Sequence, residues 1–228
     1  MTFKQAVSAL EKAGTAQNRK IYGNHGVTIA MYGVSFADLK KLKKQIGTDT
    51  DLARQLWGTG NHDARILACM IAGSDDLTSR ELDSWARQLD SYVVTDAFAT
   101  LVSRTPHAKN KFSAWRDRKS EWVSATAWNI MSHLALDLDA DLTDTFCSEQ
   151  IALIQREIHN QPNRTRHSMN QALIALGVRN DKLQKKAMTA AAKIGKVEVD
   201  HGATSCKTQD AAAYILKTVA YQKSKGQR

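Results

Sequence analysis

The sequence contains few residues that interrupt helices. It has only two prolines, Pro106 and Pro162, and 12 glycines among 228 residues. Proline removes a backbone donor and glycine raises the entropic cost of a helix, so their scarcity favours helix along most of the chain. No run of about 18 apolar residues occurs, and the first residues lack the apolar stretch of a signal peptide. We therefore expect a cytoplasmic protein that neither spans nor binds a membrane.

Cysteine is also scarce. Cys69, Cys147 and Cys206 lie far apart, and none belongs to a CxxC pair. An odd count at these spacings argues against a disulfide framework or a zinc cluster. The sequence predicts three thiols in a reducing compartment.

One stretch lacks helical periodicity, residues 196–206 (KVEVDHGATSC). It contains Asp200 and His201, and Asp210 follows it. These residue types can bind a metal ion, but their spacing matches no recognised site. We expect an ordered loop with Thr208 capping the last helix, and we expect no metal or cofactor.

The charge is positive and unevenly distributed. The formal net charge is +9 and the isoelectric point is near 9.5. Six basic residues lie between positions 104 and 119 beside one acid, and seven lie between 156 and 186 beside two acids, whereas acids concentrate at 75–96 and 137–149. Segregated charge of this kind indicates a basic surface, which suits the phosphates of DNA or RNA.

Capping signals divide the chain into helices of about 10–17 residues. Ser35 and Gly47 are expected to begin and end one helix, in which Phe36, Leu39, Leu42 and Ile46 form an apolar face. Asn61 is a second predicted cap, and Thr78 with Glu81 has the spacing of a capping box. No segment has a convincing strand pattern. The sequence thus predicts an all-α solenoid of antiparallel helix pairs, in one domain over residues 1–228.

A carboxylate interrupts an otherwise apolar helical face in residues 89–98 (LDSYVVTDAF). Leu89, Tyr92, Val93 and Asp96 follow an i, i+3, i+4, i+7 pattern, which places them on one face. An unpaired buried charge is costly, so Asp96 needs a partner, a cavity or a function. The structural interpretation is a buried acid satisfied by Thr95, Arg104 or a histidine.

Two segments, YGVSFADLKKLKK at 32–44 and LARQLWGTGNHDARILACMIAG at 52–73, resemble the AlkD-like DNA alkylation repair family. The resemblance rests on Gly33–Val34, Leu39–Lys40, Leu52 to Trp57 and Asp63 to Ala68. It implies a HEAT-like repeat fold, C-shaped with a basic concave face, and a DNA glycosylase that removes cationic N3- or N7-alkylated purines from duplex DNA.

The resemblance also implies a catalytic residue. In this family an aspartate follows a tryptophan by one helical turn; the aspartate carries over to Asp96, and the aromatic carries over in kind to Tyr92. A fixed carboxylate can stabilise an oxocarbenium-like sugar and hold the attacking water, without a cofactor. Asp96 and Tyr92 are therefore the predicted catalytic residues.

The predicted DNA contacts come from the two basic runs, from one tryptophan among them and from the loop. We expect them on the same side as Asp96: Lys109, Lys111, Trp115, Arg116, Arg118, Lys119, Arg164, Arg166 and Lys207.

Two alternatives remain open. The family's second tryptophan in the cleft corresponds to Asn170 or Gln171, and Ser124–Ala125 stands where the family has arginines after Glu121–Trp122. These residues favour a non-catalytic binder of damaged or branched DNA. A protein-binding scaffold is the third interpretation, which the basic runs support less well. In each DNA-binding case we expect a nucleoid-associated monomer on double-stranded DNA.

Overall fold

The computed structural model describes residues 1–226, and within that range it contains thirteen α-helices, one 3₁₀ turn and no strand. None of these helices is long and apolar enough to cross a membrane. The all-α prediction is confirmed. The helices are α1 Phe3–Ala13, α2 Ala16–Asn24, α3 Phe36–Ile46, α4 Thr50–Gly58, α5 His62–Ile71, α6 Ser79–Ala86, α7 Tyr92–Val102, α8 Ala108–Trp115, α9 Glu121–Leu136, α10 Asp144–Glu157, α11 Asn163–Gly177, α12 Asp181–Ile194 and α13 Ala211–Ser224; the 3₁₀ turn is Ile158–Asn160.

The predicted caps lie at the observed helix ends. The Ser35 hydroxyl accepts a hydrogen bond from the Asp38 amide, and the Asn61 carboxamide caps α5. Thr78 and Glu81 form a complete capping box on α6. The predicted cap of the last helix is wrong: Asp210, two residues after Thr208, accepts the hydrogen bond from the first turn of α13.

The chain divides into two compact units. The first comprises residues 1–109 and 201–205, and the second comprises residues 110–200 and the residues from Cys206 onward. Helices α1 to α7 belong to the first unit, α9 to α13 belong to the second, and α8 begins in the first and ends in the second. The prediction of one domain over the whole chain stays a prediction.

Helix α5 forms the centre of the first unit. It packs against α3, α4 and α7, and every residue in it except Met70 is buried. Next to it, the indole rings of Trp57 and Trp85 stack with their centroids 4.3 Å apart, and the Arg65 guanidinium lies over Trp57. Burial on all sides explains why this helix has an almost continuous apolar run from Ile66 onward.

Two charged residues at the start of α5 fix the segments on either side. The fully buried Asp63 carboxylate accepts hydrogen bonds from the amides of Tyr32, Gly33 and Val34, at 2.7, 2.9 and 2.9 Å. Arg65 donates to the Asp90 carboxylate at 2.8 Å and to the Gln88 carbonyl at 3.0 Å. Asp63 thereby holds the strand-like segment before α3, and Arg65 holds the turn before α7.

Gly33 is required by the same arrangement. Its φ is +82°, and a Cβ atom at this position would lie 2.5 Å from the Thr15 carbonyl oxygen and 2.7 Å from Arg19 Cγ. Only glycine has both the backbone freedom and the space for this close approach. The Gly33–Val34 pair noted in the sequence therefore has a backbone role.

The second unit is built around α9 and α11, which pack against each other, with α12 and α13 packed on α11. The loop from Gly195 to Asp210 is non-helical, as the sequence predicted. Within the second unit, Asn163 exchanges two hydrogen bonds with the Asp200 backbone, and the Arg166 guanidinium donates to the Glu198 carbonyl at 2.7 Å. Helix α11 thus orders the first part of this loop.

We expect Asp63→Ala to lower the free energy of unfolding by about 3–5 kcal/mol, because three inward-facing amides lose a charged acceptor together. Chemical denaturation measures the loss. Asp75→Ala is the matched control in the same unit, since Asp75 is exposed, and its change should stay within about 0.5 kcal/mol. Equal effects of the two substitutions would contradict the anchoring role of Asp63.

A second expectation concerns His62. Its ring is fully buried, neither nitrogen has a hydrogen-bond partner among the described residues, and burial lowers its pKa from the usual 6.5. As the pH falls below 6.5, the unfolded chain takes up a proton that the folded chain refuses, so stability decreases. The slope from this residue reaches at most roughly 1.4 kcal/mol per pH unit. Below pH 6.5, the free energy of unfolding of the His62→Gln variant, measured by denaturation, should fall less steeply with pH than that of the wild type. Parallel curves for the two proteins would contradict this.

Candidate nucleic-acid-binding cavity

A cavity of about 590 Å³ lies within the first unit. Residues from four helices, α2, α3, α5 and α7, line it, together with His25 directly after α2 and Arg104 two residues after the end of α7. Its volume is in the range of ligand-binding sites. The wall contributed by α5 is apolar and includes Cys69, whose pKa is raised by burial.

Helix α3 contributes one face to the cavity. Phe36, Lys40 and Lys43 follow an i, i+4, i+7 pattern, all three are exposed, and all three line the cavity. Leu39 and Leu42 instead face the core. The sequence placed Phe36 on one apolar face with Leu39, Leu42 and Ile46. In the structure Phe36 instead lies on the side of the helix that carries the two lysines, where it is 41% exposed.

Helix α7 contributes Tyr92, Val93 and Asp96. Asp96 is exposed in the first unit, so the interpretation of this carboxylate as a buried acid is wrong. On the face formed by Leu89, Tyr92, Val93 and Asp96, Leu89 and Val93 are buried, Tyr92 is half-buried and Asp96 is exposed. This face therefore passes from the core to the cavity. Tyr92 and Asp96 are brought to the same cavity, as their spacing predicted.

A tyrosine–histidine pair lies beside Asp96. The Tyr92 hydroxyl and His25 Nδ1 are 2.6 Å apart, and the two rings meet edge to face with centroids 5.7 Å apart. A second tyrosine of the cavity, Tyr22, donates its hydroxyl hydrogen to the Val34 carbonyl at 2.6 Å, and burial raises its pKa to about 12. Tyr22 is therefore a neutral wall, and the pairing with His25 sets the direction of the Tyr92 hydroxyl.

The electrostatic character of the cavity is predominantly positive. Lys40, Lys43 and Arg104 line it against one carboxylate, Asp96. Arg104 is held by a hydrogen bond from its Nε to the Thr100 carbonyl at 3.2 Å. Lys40 and Lys43 make no salt bridge among the described residues, so their ammonium groups are available to an anionic ligand.

Two predicted DNA contacts lie inside the protein. Trp115 is 3% exposed and Lys111 is 4% exposed, with the lysine ammonium 5.2 Å from the Trp115 ring centre. A buried side chain cannot reach a phosphate or a base without rearrangement, so the predicted DNA contacts of Trp115 and Lys111 do not fit the structure. Lys111 instead caps the indole ring through a cation–π contact.

The other predicted DNA contacts differ in their availability. Arg116 is bound to Asp117 and Gln150, and Arg166 is bound to backbone carbonyls, so both guanidinium groups already make contacts within the protein. Arg164 is half-buried, and its backbone amide donates to the Glu121 carboxylate. The exposed members of the set are Lys109, Arg118, Lys119 and Lys207. Their placement on the same side as Asp96 stays a prediction.

The position that corresponds to the family's second tryptophan lies in α11. Asn170 is buried there, and its side-chain amide donates to the Gln209 carbonyl at 2.9 Å. Gln171 bonds to the Gln209 side chain at 2.7 Å. Both residues thus hold the end of the loop within the second unit, and neither presents an aromatic face to a ligand.

Of the residues that line the cavity, the sequence predicted only Tyr92 and Asp96 as site residues. His25, Phe36, Lys40 and Lys43 were not among the predicted site residues. A signal was present for three of them, because an aromatic and two lysines share one face of a helix whose opposite face is apolar. His25 had no such signal, since it is brought to Tyr92 by the tertiary structure.

Within the described residues, no group of three or more histidine, cysteine or acidic side chains is placed to hold a metal ion.

Comparison with solved structures defines the class of protein. A structure described as a new family of proteins related to the HEAT-like repeat DNA glycosylases, with affinity for branched DNA structures, matches with a TM-score of 0.88 and 26% identity. The match covers 100% of this chain and 96% of that one. The chain therefore has the fold of the HEAT-like repeat proteins, as predicted.

The sequence comparisons identify the family. The model of the DNA alkylation repair enzyme family matches residues 3–215, and the chain belongs to that family. Two similar proteins are Lin0241 of Listeria innocua and Lmo0209 of Listeria monocytogenes. Each is 30% identical over 226 residues, which cover 95% of this chain and 97% of the relative.

Proposed function

We propose that this protein binds DNA whose duplex is interrupted by a branch or by a damaged base, and that the cavity of the first unit contacts the interruption. The observation that carries the proposal is the exposed Lys40–Phe36–Lys43 face of α3 in that cavity. Lysines bind backbone phosphates, and an exposed ring offers a surface for an unpaired base. Intact duplex offers phosphates but no free base faces.

Two further observations support DNA as the ligand. The chain carries a formal charge of +9, which favours a polyanion. The solved relative that is 26% identical across the whole chain belongs to a family with affinity for branched DNA structures. The shared fold and family make a similar ligand the simplest hypothesis for this protein.

A second candidate function is release of an alkylated base, carried by the exposure of Asp96 in the cavity. In an N3- or N7-alkylated purine, the glycosidic electron pair returns to the base nitrogen when the bond breaks, and the base leaves neutral. The sugar is left as an oxocarbenium-like cation, which a carboxylate stabilises and water then attacks at C1′. The attacking water loses one proton, which Asp96 can accept.

The charges in the cavity favour DNA binding over release of an alkylated base. Lys40, Lys43 and Arg104 attract phosphate and repel a base that is itself a cation, whereas Asp96 alone attracts it. Tyr92 stands where the family's tryptophan stands, and Asn170 or Gln171 stands where the family has a second aromatic. Binding is therefore the better-supported function, and hydrolysis is the finer hypothesis that depends on Asp96.

Binding to a four-way junction at several salt concentrations tests the first candidate. Replacing Lys40 and Lys43 together by alanine should reduce the slope of the logarithm of the binding constant against the logarithm of the salt concentration by about 1.8. Each neutralised phosphate contributes roughly 0.9 to that slope. Lys12→Ala with Lys44→Ala is the matched control, because both lysines are exposed and neither lines the cavity. Absence of binding at low salt would refute DNA binding, and equal slopes in the two double variants would place the contact elsewhere.

Asp96→Asn tests the second candidate with two measurements on one variant. Because Asp96 is exposed, the melting temperature of the variant should remain close to that of the wild type. Loss of a buried ionic partner would instead lower the free energy of unfolding by about 3–5 kcal/mol. If Asp96 is catalytic, base release from methylated duplex DNA should fall by roughly 10²–10³-fold. If the wild-type protein releases no base while it binds junctions, the hydrolytic candidate is wrong and the binding function stands.

A further inference from the structure

We infer that the cavity of the first unit holds one unstacked nucleotide, with its base against Phe36 and Ile21 and its flanking phosphates at Lys40 and Lys43. This inference rests on the proposed DNA-binding function and names the part of the DNA that enters the cavity.

The first argument is the convergence of exposed apolar surface. Four large apolar side chains of the first unit are more than a third exposed, namely Met1, Phe3, Ile21 and Phe36. The last two, at 43% and 41%, both line this cavity. Single exposed apolar residues are ordinary, but two that meet in one concavity beside Tyr92 form a surface that a flat apolar ligand would cover.

The second argument is size. A concavity of about 590 Å³ has the volume of a small-molecule site, and helices of one unit bound it. A single nucleotide fits such a volume, whereas a base-paired duplex does not. The buried side chains of Cys69 and Val93 form part of its α5 and α7 walls.

The third argument is the arrangement of charge. Lys40 and Lys43 are one turn apart on the same face as Phe36, so a base on the ring brings its phosphates toward the ammonium groups. Asp96 supplies an acceptor in the same cavity, and carboxylates accept hydrogen bonds from the amino group of cytosine. The site therefore favours a base with an exocyclic amino group over thymine.

The source of the nucleotide follows from the cost of unstacking. Extruding a base is least costly where it is already unpaired or mismatched. A branch point or a bulge presents such a base, so a cavity for one unstacked nucleotide gives preference for interrupted duplexes without reading their sequence.

The test compares a duplex carrying a single unpaired cytosine with the same duplex fully paired, by fluorescence anisotropy. Wild-type protein should prefer the bulged duplex. Phe36→Ala should reduce that preference by roughly 5- to 150-fold, the range for loss of one stacked base–aromatic contact. Phe3→Ala is the matched control, because Phe3 is exposed in the same unit and does not line the cavity; its preference should be unchanged. An unpaired thymine should bind more weakly than the cytosine.

A second readout locates the base directly. 5-Iododeoxycytidine in the bulge, irradiated in the complex, should crosslink to peptides that contain Phe36 or Tyr92, whereas the same nucleotide paired within an arm should not. Binding to neither duplex would refute the proposed DNA-binding function. Equal binding to both duplexes in wild type, or crosslinks confined to peptides outside the cavity, would overturn this inference and leave general DNA binding intact.

Discussion

The hydrogen bonds from three successive amides to the buried Asp63 carboxylate fix the geometry of the first unit. A charge without solvent is stable only when its acceptor capacity is filled, and residues 32–34 fill it with backbone donors. This demand sets the direction in which α3 begins, one residue later at the Ser35 cap. The same bonds thus determine which face of α3 turns toward the cavity, although Asp63 itself lies outside it.

Arg65 extends this logic to the other wall. Its bonds to Asp90 and to the Gln88 carbonyl hold the turn that leads into α7. With α5 buried between them, α3 and α7 are positioned from one central helix by two side chains that are two residues apart. The exposed side chains of the cavity therefore belong to helices whose first residues are anchored. This anchoring fixes the positions of the lysines, the Phe36 ring and the Asp96 carboxylate relative to one another.

Binding and hydrolysis make different demands on this cavity. Phosphate binding needs cations that remain unpaired, which Lys40 and Lys43 satisfy among the described residues. Hydrolysis needs a carboxylate close to the C1′ atom of a cationic nucleoside, and adjacent cations weaken its attraction for such a ligand. This charge balance agrees better with the proposed binding of interrupted DNA than with selection of a positively charged base. The half-exposed Tyr92, directed by His25, lines the same cavity and is compatible with both functions.

The sequence by itself determined the all-helical fold, the caps at Ser35, Asn61 and Thr78, and the family, because capping residues and helical periodicity act over a few neighbouring positions. It also brought Tyr92 and Asp96 together, since they are one turn apart. Only the tertiary structure decided which faces are buried: Asp96 is exposed, whereas Trp115 and Lys111 are enclosed, despite their place in a basic segment. Burial depends on which helix packs alongside, and local spacing does not contain that information. The pairing of His25 with Tyr92, 67 positions apart, arose in the same way from packing.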